Sequence, residues 1–439
     1  MATTAASTRF TEETLAAIAR RDLEPAVSAR RQEAFEQFVS SPIPSPETEE
    51  WRYTDLRELD LGSFLPASDE DPADTLDDVK PDILAAAGDV GERAGLAIQH
   101  NSTVISAHLD PRLRELGVVF DSLDRAPMHA LRGRLHEAVP TSRTKFTALH
   151  GAFRTGGTFV HVPANIRVEA PIQALTYVDR EGLAVFPHTV LVAEEGAELT
   201  FIDRYVSPDL DGALSDAVVE IYAGPNSRIT YVALQDWGRG MTHLSVQRAH
   251  VGRDARVRSL GVAFGASLSR AEVESLLDAP GGSSEMLGLY FASGDQHFDH
   301  RSIQDHYGDR TSSDLLYKGV LRGSSRTIYS GNVIIRPGAH RVDAYQTNRN
   351  VLLSEHAKAD SIPNLEILSN DPVRCGHAAS IGPIDEEALF YMQSRGIPYE
   401  EAQRLIVTGF FQEVLDKVTL PEIKASLEAT IRAELDREE

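Results

Sequence analysis

The sequence predicts a mainly β chain whose core coils as a solenoid, with helical segments at both ends. Three observations carry this. From about Thr158 onward, apolar runs of four to seven residues recur, each bounded by Gly, Pro, Asn or Asp. Full-length amphipathic helices are mostly missing between those runs, which removes a doubly wound α/β fold. Between two pairs of runs, the segments Ala193-Glu194-Glu195-Gly196-Ala197-Glu198 and Tyr222-Ala223-Gly224-Pro225-Asn226-Ser227-Arg228 place Gly and polar residues. A sandwich, a propeller and a solenoid all fit the short strands; turns that let each coil stack as a rung favour the solenoid. No strict repeat period is visible.

The elements follow in order. Thr11 is a good N-cap for a first helix, with Glu12 and Glu13 in its first turn, where the helix dipole favours anions. Leu15, Ile18 and Ala19 then recur at helical spacing. A second helix is expected from about Glu24 to Val39, with Pro25 in its first turn and Ala34, Phe35 and Phe38 on its apolar side. Pro42, Pro44 and Pro46 stop it. Residues 66–82 are acidic and Pro-containing and read as a solvated loop. Residues 83–155 are mixed, with a helix expected around Asp124 to Leu135.

The strand series then runs from Thr158-Phe159-Val160-His161-Val162 to Asn364-Leu365-Glu366-Ile367-Leu368. After Asp371 helices return. Asp385 opens one that ends at Gly396, and Pro398 opens the next, in which Ala402, Leu405, Ile406, Phe410 and Val414 make an apolar stripe. Pro421 opens a last helix with Ile423, Leu427 and Ile431 on one side.

Bulk properties limit the function. The chain has 439 residues, 42% of them apolar, so a sizeable core is available. Formal net charge is -23, from 66 acidic and 43 basic residues, which disfavours nucleic acid and anionic membrane as partners. The basic residues are mostly Arg. An acidic, Lys-poor composition suits a high-salt cytoplasm, although a GC-rich genome gives the same Arg bias. Cys375 is the single cysteine, so an intramolecular disulfide is impossible. Met1 to Thr14 lacks the charged and apolar regions of a signal peptide. No run approaches the roughly 18 apolar residues a membrane helix needs. A cytoplasmic protein is expected.

Three segments could carry chemistry. In Val373-Arg374-Cys375-Gly376-His377, a thiol and an imidazole stand two apart, so an extended backbone would aim both at one ion. From the spacing alone, a packed cysteine beside a hydrogen-bonded histidine is the commoner use. Gly294-Asp295-Gln296-His297-Phe298-Asp299-His300, followed by His306, is dense in ligand types. A strand, however, sends His297 and His300 to opposite faces, so satisfied polar side chains are the simpler reading. Trp51-Arg52-Tyr53 reads as an aromatic anchor. There is no Walker A loop, no Gly-x-Ser-x-Gly elbow, no His-Glu-x-x-His and no Gly-x-Gly-x-x-Gly after a strand. Glu194 and Glu195 sit in a turn and are expected to face solvent.

Together these segments resemble the SufB/SufD family of iron–sulfur cluster assembly proteins. The resemblance rests on Val373 to Ser380, on Asp385-Glu386-Glu387-Ala388-Leu389-Phe390-Tyr391 with Ser394-Arg395-Gly396-Ile397, on Glu50-Trp51-Arg52-Tyr53-Thr54 and on Gly294 to His300. It implies a right-handed parallel β-helix core flanked by α-helical N- and C-terminal regions. The expected divisions are residues 1–155, helical; 156–378, the β-helix; and 379–439, helical. The resemblance further implies a non-catalytic subunit of a complex with a SufB-like chain and a SufC-like ABC ATPase.

On that basis Cys375 and His377 are the expected ligands of a transient iron–sulfur cluster at the junction with the SufB-like chain, His377 being the better candidate. Leu405, Ile406 and Phe410 are the expected contact with the ATPase, or its support. The nucleotide would sit on the ATPase, and any flavin would belong to the complex. SufB-type chains carry a cysteine near the position of Asn348 and a glutamate near His377. Neither is present, which places the chain on the SufD side. A single thiolate cannot enclose a cluster that wants about four ligands, so partner ligands are required. The competing readings are a SufB-like homodimer, a purely structural partner with an inert Cys375, and a polysaccharide-acting β-helix enzyme.

Overall fold

The computed structural model describes residues 9–437 apart from 21, 23, 24, 74, 127–130 and 132. Helices open the chain where caps and apolar spacing call for them. α1 (Glu12–Ala19) starts at Thr11, whose hydroxyl and that of Thr14 satisfy each other's backbone N–H groups. α2 (Pro25–Ser40) buries Ala34, Phe35 and Phe38. Short helices α3 (Pro81–Ala86) and α4 (Pro111–Glu115) each begin at proline. α5 (Lys145–Phe153) is almost wholly buried.

The solenoid is a parallel stack of about eight turns built from two sheets. One sheet begins with the antiparallel pair β1 (Gly95–His100) and β2 (Thr103–Leu109) and ends at β20 (Arg374–Pro383). The other begins with the antiparallel pair β3 (Val119–Ser122) and β4 (Thr158–Val162) and ends at β19 (Lys358–Ile367). From β8 (Glu198–Val206) onward, successive strands alternate between the sheets. Every later pairing is parallel and in register: Glu198, Arg228, Arg256, Ser283, Ser312, Asp343 and Arg374 form one column.

The turns that the sequence places between strands are the corners of this coil. Asn226, Asp254, Gly281, Arg310 and Arg341 all take left-handed φ values, from 53° to 74°. Each donates its backbone N–H to a carbonyl of the following rung, at 2.8 to 3.3 Å. The corners are therefore cross-linked along the stack, which satisfies backbone groups that a tight turn would otherwise leave unpaired.

Inside the coil, Val160, Phe201, Ile221, Tyr231 and Val257 form one buried cluster, and Met286, Tyr290, Phe298, Tyr317 and Tyr329 another. The N-terminal helices cover the outside of one sheet: Phe10, Phe35, Phe38 and Phe153 pack with Phe186, Leu214 and Leu244. The C-terminal helices α6 (Glu386–Ser394), α7 (Tyr399–Leu415) and α8 (Pro421–Asp436) return along the other sheet. Val407, Phe411, Val414, Ile423 and Leu427 pack there on Val232, Leu260, Leu289 and Leu316.

Two details differ from expectation. Residues 1–155 are not helical throughout, because β1 to β3 extend both sheets before residue 155. β20 continues to Pro383, past the expected boundary at 378. Of the helix expected around Asp124 to Leu135, residues 127–130 and 132 lie outside those described, and Leu123 to Arg125 and Gly133 to Glu137 are turns. Among the described residues no helix is long and apolar enough to cross a membrane.

Candidate functional site

Both expected ligands lie on the last rung. β20 pairs on one side with β18 (Asp343–Leu352), Cys375 beside Ala344 and His377 beside Gln346. Its other edge pairs with no described strand, and the same holds for β19 beyond β17 (Arg326–Ile335). No residue of β19 or β20 is buried, whereas β16 (Ser312–Leu321) and β17 are buried at most positions.

Side-chain alternation sets which face the ligands take. Ala344, Gln346 and Asn348 are buried, with Gln346 accepting from Tyr329 and Asn348 donating to Tyr290, so this parity faces the interior of the coil. Parallel register gives Cys375 and His377 the same parity. They continue the interior face at the point where the stack stops, and so stand at its open mouth. Cys375 is half-buried against Val333, Ile335, Ala339, Val342 and Ala344. That burial pushes its thiol pKa up. His377 is exposed. Asn348 holds its place inside the coil by hydrogen bonds to Tyr290 and the carbonyl of Tyr317.

The rung that carries these two groups exposes apolar side chains among polar ones. Leu365 and Ile367 on β19 and Ile381 on β20 are exposed, and Leu368 and Val373 flank the strands in the same state. The strand runs read from the sequence end at Leu368 and do not include β20, and no sequence signal marks this rung as exposed.

The C-terminal helices form a second surface. Of the expected contact residues, Leu405 is exposed, whereas Ile406 and Phe410 are half-buried against the helix and solenoid clusters. The Lys318 ammonium donates to the Phe410 carbonyl at 2.8 Å and lies 4.9 Å above its ring. Lys318 also pairs with Glu413 at 2.6 Å, fastening α7 to the solenoid wall. Phe390, Tyr391 and Tyr399 are exposed on the same helical region. Sequence spacing did not single them out, because an aromatic on a helix carries no mark of which side meets solvent.

The other two segments turn out to be structural. Trp51 is buried beneath the Arg270 guanidinium, 4.0 Å from its ring centroid. Arg270 pairs with Asp299 and Glu272, and Thr54 donates to Asp299 at 2.6 Å. The Trp51 and Gly294–His300 segments are thus two halves of one joint between the N-terminal region and the solenoid. His297 faces Thr54 at 3.3 Å. His300 lies against Tyr290, with burial lowering its pKa to about 4, and His306 is held by Thr311 and Ser313 at 2.8 Å. The three histidines do not converge on a common point.

The fold and this rung define a class: a parallel β-solenoid protein that displays its one thiol and a neighbouring imidazole on an unpaired terminal rung. A family model described as the SUF system FeS cluster assembly SufBD core domain matches residues 176–410. The chain is 30% identical over 432 residues to the iron–sulfur cluster assembly protein SufD of Bacillus subtilis, covering 96% of this chain and 97% of that one. It is 37% identical over 312 residues to an iron–sulfur cluster assembly SufBD family protein of Mycobacterium leprae, covering 69% and 78%. A Mycobacterium tuberculosis protein of the same description is 36% identical over 306 residues, covering 68% and 75%. The chain belongs to the SufBD family of iron–sulfur cluster assembly proteins.

Proposed function

We propose that this chain is a SufD-type, non-catalytic scaffold of a cytoplasmic SufBCD complex. It meets a SufB-like subunit through the open rung of β19 and β20, and a SufC-like ATPase through its C-terminal helices. The observation that supports this best is the unpaired terminal rung with Cys375 and His377 at its mouth. Unpaired strand edges flanked by exposed apolar side chains are a template for another chain's strands. A cluster that wants about four thiolate or imidazole ligands cannot complete its shell from one cysteine and one histidine. A second polypeptide seated on this edge would bring the missing ligands to the same place. The absence of a cysteine at Asn348 and of a glutamate at His377 favours the SufD role. ATP-driven closure of the ATPase, transmitted through the helices fixed to the solenoid wall by Lys318 and Lys417, would then shift the junction and expose ligands for iron and sulfur.

The test is reconstitution of a cluster on the complex of this chain with a SufB-like chain and a SufC-like ATPase, followed by visible absorbance. His377→Ala is expected to lower cluster yield strongly with the complex intact, and Cys375→Ala to lower it less. If both variants form clusters at the unmodified yield, or if the isolated chain holds a stable cluster unaided, the reading fails.

A further inference from the structure

A buried cluster far in sequence from the terminal rung joins β7 (His188–Ala193), β9 (Ala213–Ala223), α5 and the turn at Gly133–Glu137. His188 and Glu220 project from the outer face of the sheet, and their side chains are completely buried. His150 comes down from α5 and His136 from the turn, with ring centroids 4.9 Å from that of His188 in both cases. One ligand atom each from His136, His188 and Glu220 lies within 4.8 Å of the other two.

Counting protons exposes a conflict at the centre of this cluster. His150 Nδ1 lies 2.8 Å from the Asp216 carbonyl, which can only accept, so Nδ1 carries the hydrogen. With one hydrogen on each ring, His150 Nε2 presents a lone pair. His188 Nδ1, 3.0 Å from it, must then donate. That leaves His188 Nε2 as a lone pair, facing Glu220 Oε2 at 3.0 Å. The carboxylate is already an acceptor for the backbone N–H groups of His136, Ala138 and Val139, at 2.8, 2.8 and 3.1 Å. With Glu220 ionised, two acceptors face each other in a buried space, and either a proton or a cation belongs between them. The His136 ring makes no side-chain hydrogen bond to a described residue, and its backbone takes a left-handed φ of 58° that brings it over the pair.

We propose that His136, His188 and Glu220 form a binding site for a borderline divalent cation of the zinc class, which locks the Gly133–Glu137 turn onto the solenoid wall. Two imidazoles and a carboxylate are a ligand set such ions take, with a fourth position left for water. His150 would act from behind, its link to the Asp216 carbonyl fixing the tautomer that leaves His188 Nε2 free. The site shares no residue with Cys375 and His377.

The test uses the full chain carrying Cys375→Ala and His377→Ala, so that the terminal rung contributes no ligand. The protein is stripped with a chelator, incubated with a small excess of zinc chloride, desalted, and measured for metal content and for melting temperature. One zinc per chain and a raised melting temperature are expected. Adding His136→Asn is expected to abolish both. Asn tolerates the left-handed backbone, so this variant should match the stripped parent in its metal-free melting curve. If the parent retains no zinc, the cluster is closed by a proton on Glu220 and the proposal is overturned. Equal zinc retention with His136→Asn overturns it as well.

Discussion

Asp203 shows what a single buried group does to this core. Its carboxyl lies inside the coil, 2% exposed, and accepts from Thr189 at 2.7 Å and from Tyr231 at 3.1 Å. Burial raises its pKa from 3.8 to about 6, against those donors, which favour the charged form. A raised carboxyl pKa means the folded state holds the proton more tightly than the unfolded one. The contribution of Asp203 is therefore full below about pH 4, falls as pH rises towards 6, and stays low above that. Asp203→Asn keeps the acceptor and removes the charge. It is expected to stabilise the protein at pH 7.5 by up to about 3 kcal/mol, and to give no gain near pH 4. Denaturant unfolding at the two pH values checks this; a variant less stable than its parent at pH 7.5 would refute it. At this scale the sequence marks some residues and hides others. Cys375 and His377 stand two apart in one short motif, so their shared strand face is visible in the chain itself. His136 and Glu220 stand 84 residues apart, and only the stacking of the coil brings them together.

Among the elements, α7 is the clearest case of a segment whose existence is legible and whose orientation is not. Its apolar residues cover more than one side, and three- and four-residue spacing selects Ala402, Leu405, Ile406, Phe410 and Val414. The solenoid instead buries Ala402, Val407, Phe411, Val414 and Leu415, and leaves Leu405 46% exposed. Only the wall against which the helix packs decides between neighbouring stripes. This separates two substitutions. Phe411→Ala opens a cavity among Val407, Leu415 and the solenoid wall and is expected to cost about 3–5 kcal/mol. Leu405→Glu changes an exposed site and is expected to move stability by no more than about 0.5 kcal/mol, while weakening co-purification with the ATPase. If Leu405→Glu leaves a SufC-like ATPase bound as before, Leu405 is no part of the proposed contact. The strands were legible as apolar runs, but their period was not. Paired residues on successive rungs are 26 to 32 apart, and the corners use Asn, Asp, Gly and Arg alike. A left-handed corner fixed by hydrogen bonds to the next rung does not need one residue type, so no repeat signature accumulates.

For the whole molecule, the unequal ends of the stack matter most. At one end β2 and β3 reverse direction, and the antiparallel pairs finish the sheets. At the other, β19 and β20 leave backbone groups and Leu365, Ile367 and Ile381 open. Pro363 lies within β19 and offers no N–H, a device that discourages indiscriminate pairing along an edge. Charge supplies another restraint, since two copies each at -23 repel over the roughly 10 Å that screening allows at 0.1 M salt. Apolar attraction at the edge and repulsion between whole molecules would thus oppose each other in any pairing of two copies through this rung. The isolated chain is expected to dimerise more strongly as salt rises, and Ile381→Glu is expected to abolish both that dimer and binding to the SufB-like chain without lowering the melting temperature. Sedimentation velocity across a salt series checks the first part and co-purification the second. A dimer that weakens with salt, or one that survives Ile381→Glu, would mean that copies meet through some other surface and that the open rung is not what holds a neighbour.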